Sequence, residues 1–417
     1  MTTPKTSTAP IRNAVDATTH ADPYPWYAEL RRNAPLFFDP TLKLWIASSA
    51  AAVSAVLAHV DCRVRPAHEP VPPGLVGGAA GEVFRQLVRM NDGTRHDEPK
   101  LVLERALGDV DLVRLGQRVA ALARDDGPFR APAPPWADAL NETLFRLPLY
   151  AVADLLGFMP QDLPQLATWM RDFVACLSPL STPVQLGAAH EAAAALLRRF
   201  EDLLANSVRS RGATDCTSLV SRVQAHAAQT GWADRQALLC NLIGLLSQTF
   251  DATAGLLGNA VVALATRPDL LAELPAHPQA RRDTARLLVE EVCRLDPPIQ
   301  NTRRFVARDM ELAGRLLRAG DTVLLLLGSA NRDAALNARA DEFLLQRAQR
   351  KYFSFGRGSH ACPGQQIALT IAASALASWL PATPSPLPQP THLQALTWTY
   401  RPSVNARIPC FDLATST

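Results

Sequence analysis

Apolar residues recur at helical spacing through the middle of the chain. In 160–176, 190–208 and 235–266 they fall at intervals of three and four, which predicts three helices. The third is apolar on almost every side. Between Arg235 and Arg267 the only formally charged residue is Asp251. At ~1.5 Å per residue the helix would be about 45–50 Å long. A helix apolar all round is either buried in a large protein or spans a membrane. Its polar residues decide between these. Asn241, Ser247, Gln248, Thr249, Asp251 and Thr253 gather near its middle, where an ionisable group is costly in a bilayer. We read a buried central helix beside a lined cavity and expect no membrane span.

Shorter patterns flank this core. The spacing predicts helices over 23–33, 50–59, 278–296 and 363–380, and strands over 44–47, 310–312 and 323–327. Three Pro-rich breaks, 70–81, 131–135 and 381–390, read as loops. No internal repeat is visible.

Composition narrows the function. The 48% hydrophobic content can fill a large core, and at roughly 150 residues per domain 417 residues suggest two or three domains. A net charge of +3 argues against a nucleic-acid partner. The seven cysteines, Cys62, Cys176, Cys216, Cys240, Cys293, Cys362 and Cys410, are odd in number, widely spaced and without a C-x-x-C pair. That excludes a disulfide scaffold or zinc site and fits a reducing cytoplasm. The first 22 residues hold no apolar stretch, so we expect no signal peptide and a flexible tail over 1–20.

One cysteine stands in a chemical context. Phe355-Gly356-Arg357-Gly358-Ser359-His360-Ala361-Cys362-Pro363-Gly364 sets glycine turns before Cys362 and an apolar helix after it. A sulfur at a helix N-terminus meets free N–H groups and the positive dipole end, which favour thiolate. The residues alone give an activated thiolate or a metal ligand, against an inert buried cysteine on a turn.

This string resembles the haem-binding loop of the cytochrome P-450 superfamily, F-G-x-G-x-H-x-C-x-G, with every fixed position filled. The resemblance implies that Cys362 is the axial ligand of haem b, that Phe355 packs near the sulfur, and that His360 meets a haem propionate. It leaves Gly364 able to donate its N–H to sulfur. Further matches follow in family order. Glu291-Val292-Cys293-Arg294 matches E-x-x-R and implies a structural ion-pair network. Arg304 matches the propionate-binding arginine, with Arg303 as the alternative. Ser329-Ala330-Asn331-Arg332-Asp333 resembles a segment of soluble bacterial members and is read as a polar turn. His96 and Lys100 stand where members carry His and Arg for the propionates. Pro99 suits a first helical turn, which would put Lys100 near a helix N-terminus where it needs an anion. The similarity runs from about residue 21 to the end. It implies one unit over 21–417, mainly α with small β-sheets (α+β), with the long helix crossing the haem.

The chain departs from the family on that helix. Aligned on Gly258-Asn259-Ala260, Gln248-Thr249-Phe250-Asp251-Ala252-Thr253 occupies the usual A/G-G-x-D/E-T. Asp251 keeps the acid. Thr249 replaces the glycine that makes room for dioxygen, and Ala252 replaces the threonine that helps deliver protons. Alanine cannot donate a hydrogen bond. Thr253 is rotated by ~100° from position 252 and is no simple substitute. Thr249 is expected to hydrogen-bond within the pocket. Ordered water or a substrate hydroxyl completes the relay, or the chemistry depends on it less, or the alignment is one residue off.

The resemblance thus implies a cytoplasmic monooxygenase acting on a small organic molecule and dioxygen, in bacterial secondary metabolism and as a monomer. No flavin or nicotinamide fingerprint is evident, so electrons are expected from a ferredoxin and its reductase. Arg347, Arg350, Lys351 and Arg357 are candidates for the basic face that such a partner would use. The alternatives are a peroxide-using or non-oxygenating haem-thiolate enzyme and a non-catalytic haem sensor.

Overall fold

The computed structural model describes residues 10–66, 68–125, 136–209, 218–380 and 393–413. The expected breaks at 131–135 and 381–390, and Cys216, lie outside them.

The central helix runs unbroken over Arg235–Thr266. Asp234 caps it by accepting from the Ala237 N–H at 2.8 Å, which satisfies one of the free donors of the first turn. The helices Trp136–Leu156, Ala79–Gln86, Pro278–Leu295 and Pro183–Arg209 pack around it, so its all-round apolar surface meets protein. It is the one described helix long and apolar enough to cross a membrane, and it is largely buried inside the fold. At Gly258 the helix passes tightly against a neighbour. A Cβ there would lie 2.6 Å from the Pro409 ring, so only glycine lets the helix meet the C-terminal hairpin. Asn259 fastens the same point, donating to the carbonyls of Asp296 and Arg407 at 2.9 and 3.2 Å.

The helix Gln365–Trp379 lies between Leu112–Asp125 and Pro278–Leu295. It carries Cys362 at its entrance. Its start, at Gln365, falls two residues later than the sequence pattern suggests.

Among the described residues the β portion is a five-stranded sheet and two hairpins. The sheet runs Leu36–Asp39, Leu44–Ala47, Thr322–Leu326, Asn301–Val306, Cys62–Arg63. Its pairs are antiparallel apart from Leu44–Ala47 beside Thr322–Leu326. Arg303 and Arg304 pair opposite Leu324 and Val323, so alternation turns them to opposite faces: Arg303 outward, Arg304 inward. The hairpins are Met310–Leu312 with Arg315–Leu317, and Leu396–Tyr400 with Pro409–Leu413.

The tail expected over 1–20 is held from Ala14 onward. Ala14, Ala17 and Thr18 are buried. The buried Arg407 donates to His20 O at 2.6 Å and Ala21 O at 2.9 Å, and pairs with Asp296 at 2.8 Å. A buried guanidinium needs these acceptors, and the N-terminal backbone supplies them. The S-A-N-R-D segment is a junction rather than a simple turn. Asn331 donates to Cys293 O at 3.2 Å and accepts from the Phe353 N–H at 2.7 Å, tying the E-x-x-R helix to the cysteine loop. Asp333 accepts from the Ala50 N–H at 2.9 Å.

Candidate functional site

A cavity of about 1430 Å³ lies between the cysteine loop and the central helix. It is lined by all twelve candidate residues: His96, Lys100, Gln248, Thr249, Asp251, Ala252, Thr253, Arg304, Phe355, His360, Cys362 and Gly364. The sequence separates them by up to 268 positions and the fold gathers them around one space.

The loop's shape follows from its glycines and backbone hydrogen bonds. Gly356 has φ 68°, and a Cβ there would lie 2.9 Å from the His360 carbonyl oxygen. The Cys362 N–H donates to Phe355 O at 2.7 Å, and the Ala361 N–H to Gly358 O at 3.0 Å. Cys362 keeps accessible surface where it lines the cavity, while protein surrounds it elsewhere. That burial pushes its thiol up, opposed by a hydrogen bond from the Gly364 N–H and the charge of Lys100. The other cysteines differ. Cys62, Cys176, Cys240 and Cys293 are buried, with burial pushing Cys62 to about 11 and Cys176 and Cys240 to about 12. Cys176 and Cys293 border the cavity but are buried, as Cys62 and Cys240 are.

Basic groups collect beside the loop. The His96 and His360 rings are 4.1 Å apart. Lys100 Nζ donates to Ala361 O and pairs with Glu104 at 3.2 Å. The helix holding His96 and Lys100 begins at Thr94, so Pro99 lies inside it and Lys100 is in its second turn. The two side chains are one turn apart on one buried face, and the dipole argument for an anion weakens. Arg304 is buried and, among the described residues, donates only to Arg303 O, at 2.8 Å. His360 pairs with Asp92 at 3.2 Å. Burial, aided by the charges of His96 and Arg304, holds His360 below its ordinary value despite Asp92. Burial works against Asp92 ionisation, but hydrogen bonds from His360 and the Val64 N–H keep its carboxyl low.

On the central helix, Asp251 is pushed up by burial, opposed by Arg401. Thr249 does not bond into the pocket as expected; its Oγ1 donates to Leu245 O at 2.8 Å, one turn back in its own helix. Gln248 likewise donates to Gly244 O at 3.1 Å. Thr253 is buried. The turn of the C-terminal hairpin also lines the cavity, through Arg401, Pro402, Ser403, Asn405 and Ala406. Sequence reasoning missed Arg89, Arg171 and Arg401 in the lining. Asn241, expected among the cavity polars, instead holds the turn before Arg89 by accepting from the Val88 N–H at 2.7 Å.

The E-x-x-R pair forms the expected network. Glu291 accepts from Arg294 at 2.8 Å, Arg347 at 3.2 Å, Arg350 at 3.2 Å and the Leu344 N–H at 3.1 Å. This corrects the reading of a basic face, because Arg347 and Arg350 are turned inward onto Glu291. Lys351 and Arg357 remain exposed.

The donor set fits haem. Among the described residues no three His, Cys, Asp or Glu side chains come together as a metal site, so an ion on Cys362 needs ligands from a group that brings its own. The space before the sulfur is large, and His96, Lys100, Arg304 and His360 line it while the acids paired with them, Asp97, Glu104 and Asp92, do not, which leaves the wall with a basic excess. Two carboxylates of a bound group would answer that excess.

Comparison with known proteins agrees. The family model "Cytochrome P450" matches residues 283–381. The chain is 27% identical over 265 residues to the biotin biosynthesis cytochrome P450 of Bacillus subtilis (strain 168), covering 64% of each. It is 33% identical over 228 residues to cytochrome P450 144 of Mycobacterium tuberculosis, covering 54% of this chain and 50% of that one. The chain thus spans less than two thirds of these relatives' length. Among solved structures, CalO2 superposes with TM-score 0.74 at 26% identity, covering 94% of this chain and 97% of that one. P450BioI, solved with an acyl carrier protein bearing hexadec-9Z-enoic acid, superposes with TM-score 0.76 at 22% identity, covering 93% and 96%.

Proposed function

The chain belongs to the cytochrome P450 superfamily, and from that premise we propose that it binds haem b through Cys362 and oxidises a small organic substrate with dioxygen. The superfamily is one of haem-thiolate oxidoreductases of monooxygenase type. The observation that carries the finer reading is that an accessible thiol with an N–H donor, a basic cluster and a half-buried acid all line one cavity. Bound haem supplies dioxygen activation, which a thiolate ligand promotes by pushing electron density toward O–O cleavage.

The chain's own residues do the rest. The Gly364 N–H hydrogen-bonds the sulfur and favours its charged form. Phe355 covers the loop beside it. His96, Lys100, Arg304 and His360 would hold the carboxylates of a bound haem. Asp251, pushed up by burial, retains a proton to higher pH than an exposed acid and hands it into the cavity. Ala252 donates nothing, and Thr249 is bonded to its own helix. Delivery from Asp251 therefore runs through ordered water or a hydroxyl of the substrate. Those same two positions favour a second reading, peroxide-driven or non-oxygenating chemistry that asks less of the relay.

Electrons come from a ferredoxin and its reductase, with Lys351 and Arg357 beside the loop as the basic contacts. We place the protein in the cytoplasm, as a monomeric unit over 21–417 acting in secondary metabolism. The test is turnover with a ferredoxin, its reductase and a substrate identified by a Soret shift. Asp251→Asn should lower product formed per electron consumed, and Ala252→Thr should raise it. Unchanged product yield in Asp251→Asn rules out its proton role. Equal turnover of Ala252→Thr and wild type rules out the atypical relay.

A further inference from the structure

Arg89 is a half-buried cation with no anion paired to it among the described residues. It sits in the one-turn 3-10 segment Val88–Met90 and lines the cavity. Its Nε is inaccessible and has no hydrogen-bond partner. No ion pair to its guanidinium exists among the described residues. The titratable group beside it is the Cys176 thiol, which burial pushes to about 12, so near pH 7 it is neutral and offers no anion. Guanidinium does not deprotonate in proteins, so the charge stays and its desolvation is uncompensated.

The position is fixed rather than fortuitous. The Val88 N–H donates to the buried Asn241 on the central helix at 2.7 Å. Asn91 donates to Leu87 O at 2.8 Å and Arg85 O at 2.9 Å, and accepts from Arg65 at 2.6 Å. The turn is clamped on both sides of Arg89, so its side chain is presented to the cavity with little freedom to leave. It also stands apart from the basic cluster at the cysteine loop. His360 has His96, Arg304 and Asp92 as its charged neighbours, whereas Arg89 neighbours Cys176 at the end of the helix Leu163–Ala175. Around the rest of the cavity the lining is largely apolar, with Leu103, Leu107, Val152, Leu245 and Phe250 among it.

We propose that Arg89 anchors an anionic group of the substrate, a carboxylate at one end of an otherwise apolar molecule, and so sets which carbon faces Cys362. This rests on the haem-thiolate reading of the cavity and deepens it. An unpaired guanidinium in a desolvated site gains a charge-assisted, two-pronged hydrogen bond when such a group enters. An uncharged analogue of the same shape leaves the cation unanswered and is rejected.

The test titrates matched pairs against holoprotein: octanoate and 1-octanol, dodecanoate and 1-dodecanol, hexadecanoate and 1-hexadecanol. Binding is followed by the Soret shift and, independently, by calorimetry. At least one acid should bind wild type about tenfold more tightly than its alcohol. Arg89→Gln should lose that preference while leaving the alcohol's affinity within about twofold, and Arg89→Lys should keep part of it. If no acid outbinds its alcohol in wild type, or if Arg89→Gln binds the acids as wild type does, the assignment is wrong. Failure of the haem-thiolate reading shows separately, as a missing thiolate-type carbon-monoxide band, and calorimetry still reads the acid preference in that case.

Discussion

Glu291→Gln should be among the most damaging single changes outside the cavity. The carboxylate is fully buried and is shared by Arg294, Arg347 and Arg350, whose side chains are 0%, 6% and 9% exposed. Removing one partner of a buried pair costs about 3–5 kcal/mol, because the other charge is left uncompensated. Here three cations lose their common anion, so the cost belongs at the upper end, about 4–5 kcal/mol. That is a large part of the roughly 5–15 kcal/mol typical of a folded protein. Glu290→Gln on the same helix is the control. Glu290 pairs with Arg286 at 2.7 Å with both side chains a quarter exposed and reaches Arg350 only at 4.0 Å, so the loss should be about 1 kcal/mol or less. The assay is urea unfolding of holoprotein, followed by far-ultraviolet circular dichroism and by Soret absorbance. The segment Glu291 secures leads into the cysteine loop, so Soret intensity should be lost at lower urea than helicity in Glu291→Gln. If that variant unfolds within about 1 kcal/mol of wild type, the network does not hold the loop, and the reasoning is wrong.

Two further outcomes follow from the geometry. Gly258→Ala should destabilise by about 1–3 kcal/mol, read as a lowered thermal midpoint, because its Cβ would meet the rigid Pro409 ring at 2.6 Å. Asp251 carries a folded-state pKa raised by burial, so its native form binds more protons than the unfolded chain between the ordinary and raised values. Wild type should therefore lose stability as pH rises through that window, and Asp251→Asn should not; parallel curves of thermal midpoint against pH would contradict the burial argument.

The cysteine loop was legible because its residues are contiguous and each meets a local demand: glycine for the turn, a free N–H for the sulfur, a helix behind. The central helix was legible from its even apolar surface. Partners distant in sequence were not. Arg347 and Arg350 read as surface charge, since nothing local reveals that Glu291 draws them inward. Arg407 gave no signal, because its acceptors His20 and Ala21 lie almost 400 positions away. Asn241 looked like a cavity polar, yet its side chain points to the backbone of a turn. The strand Leu396–Tyr400 was missed because its apolar run is short and its pairing partner unremarkable. Thr249 shows a subtler limit: the residue type allows a pocket hydrogen bond, and the helix carbonyl four residues back captured it.

The central claim is that Cys362 is the axial ligand of a haem. The reduced carbon-monoxide difference spectrum of freshly purified protein tests it most directly. The red-shifted thiolate-type Soret band should appear in wild type and in Cys410→Ser, whose cysteine is exposed away from the cavity, and should vanish in Cys362→Ser. Folded wild type without that band, or Cys362→Ser that retains it, would contradict the account.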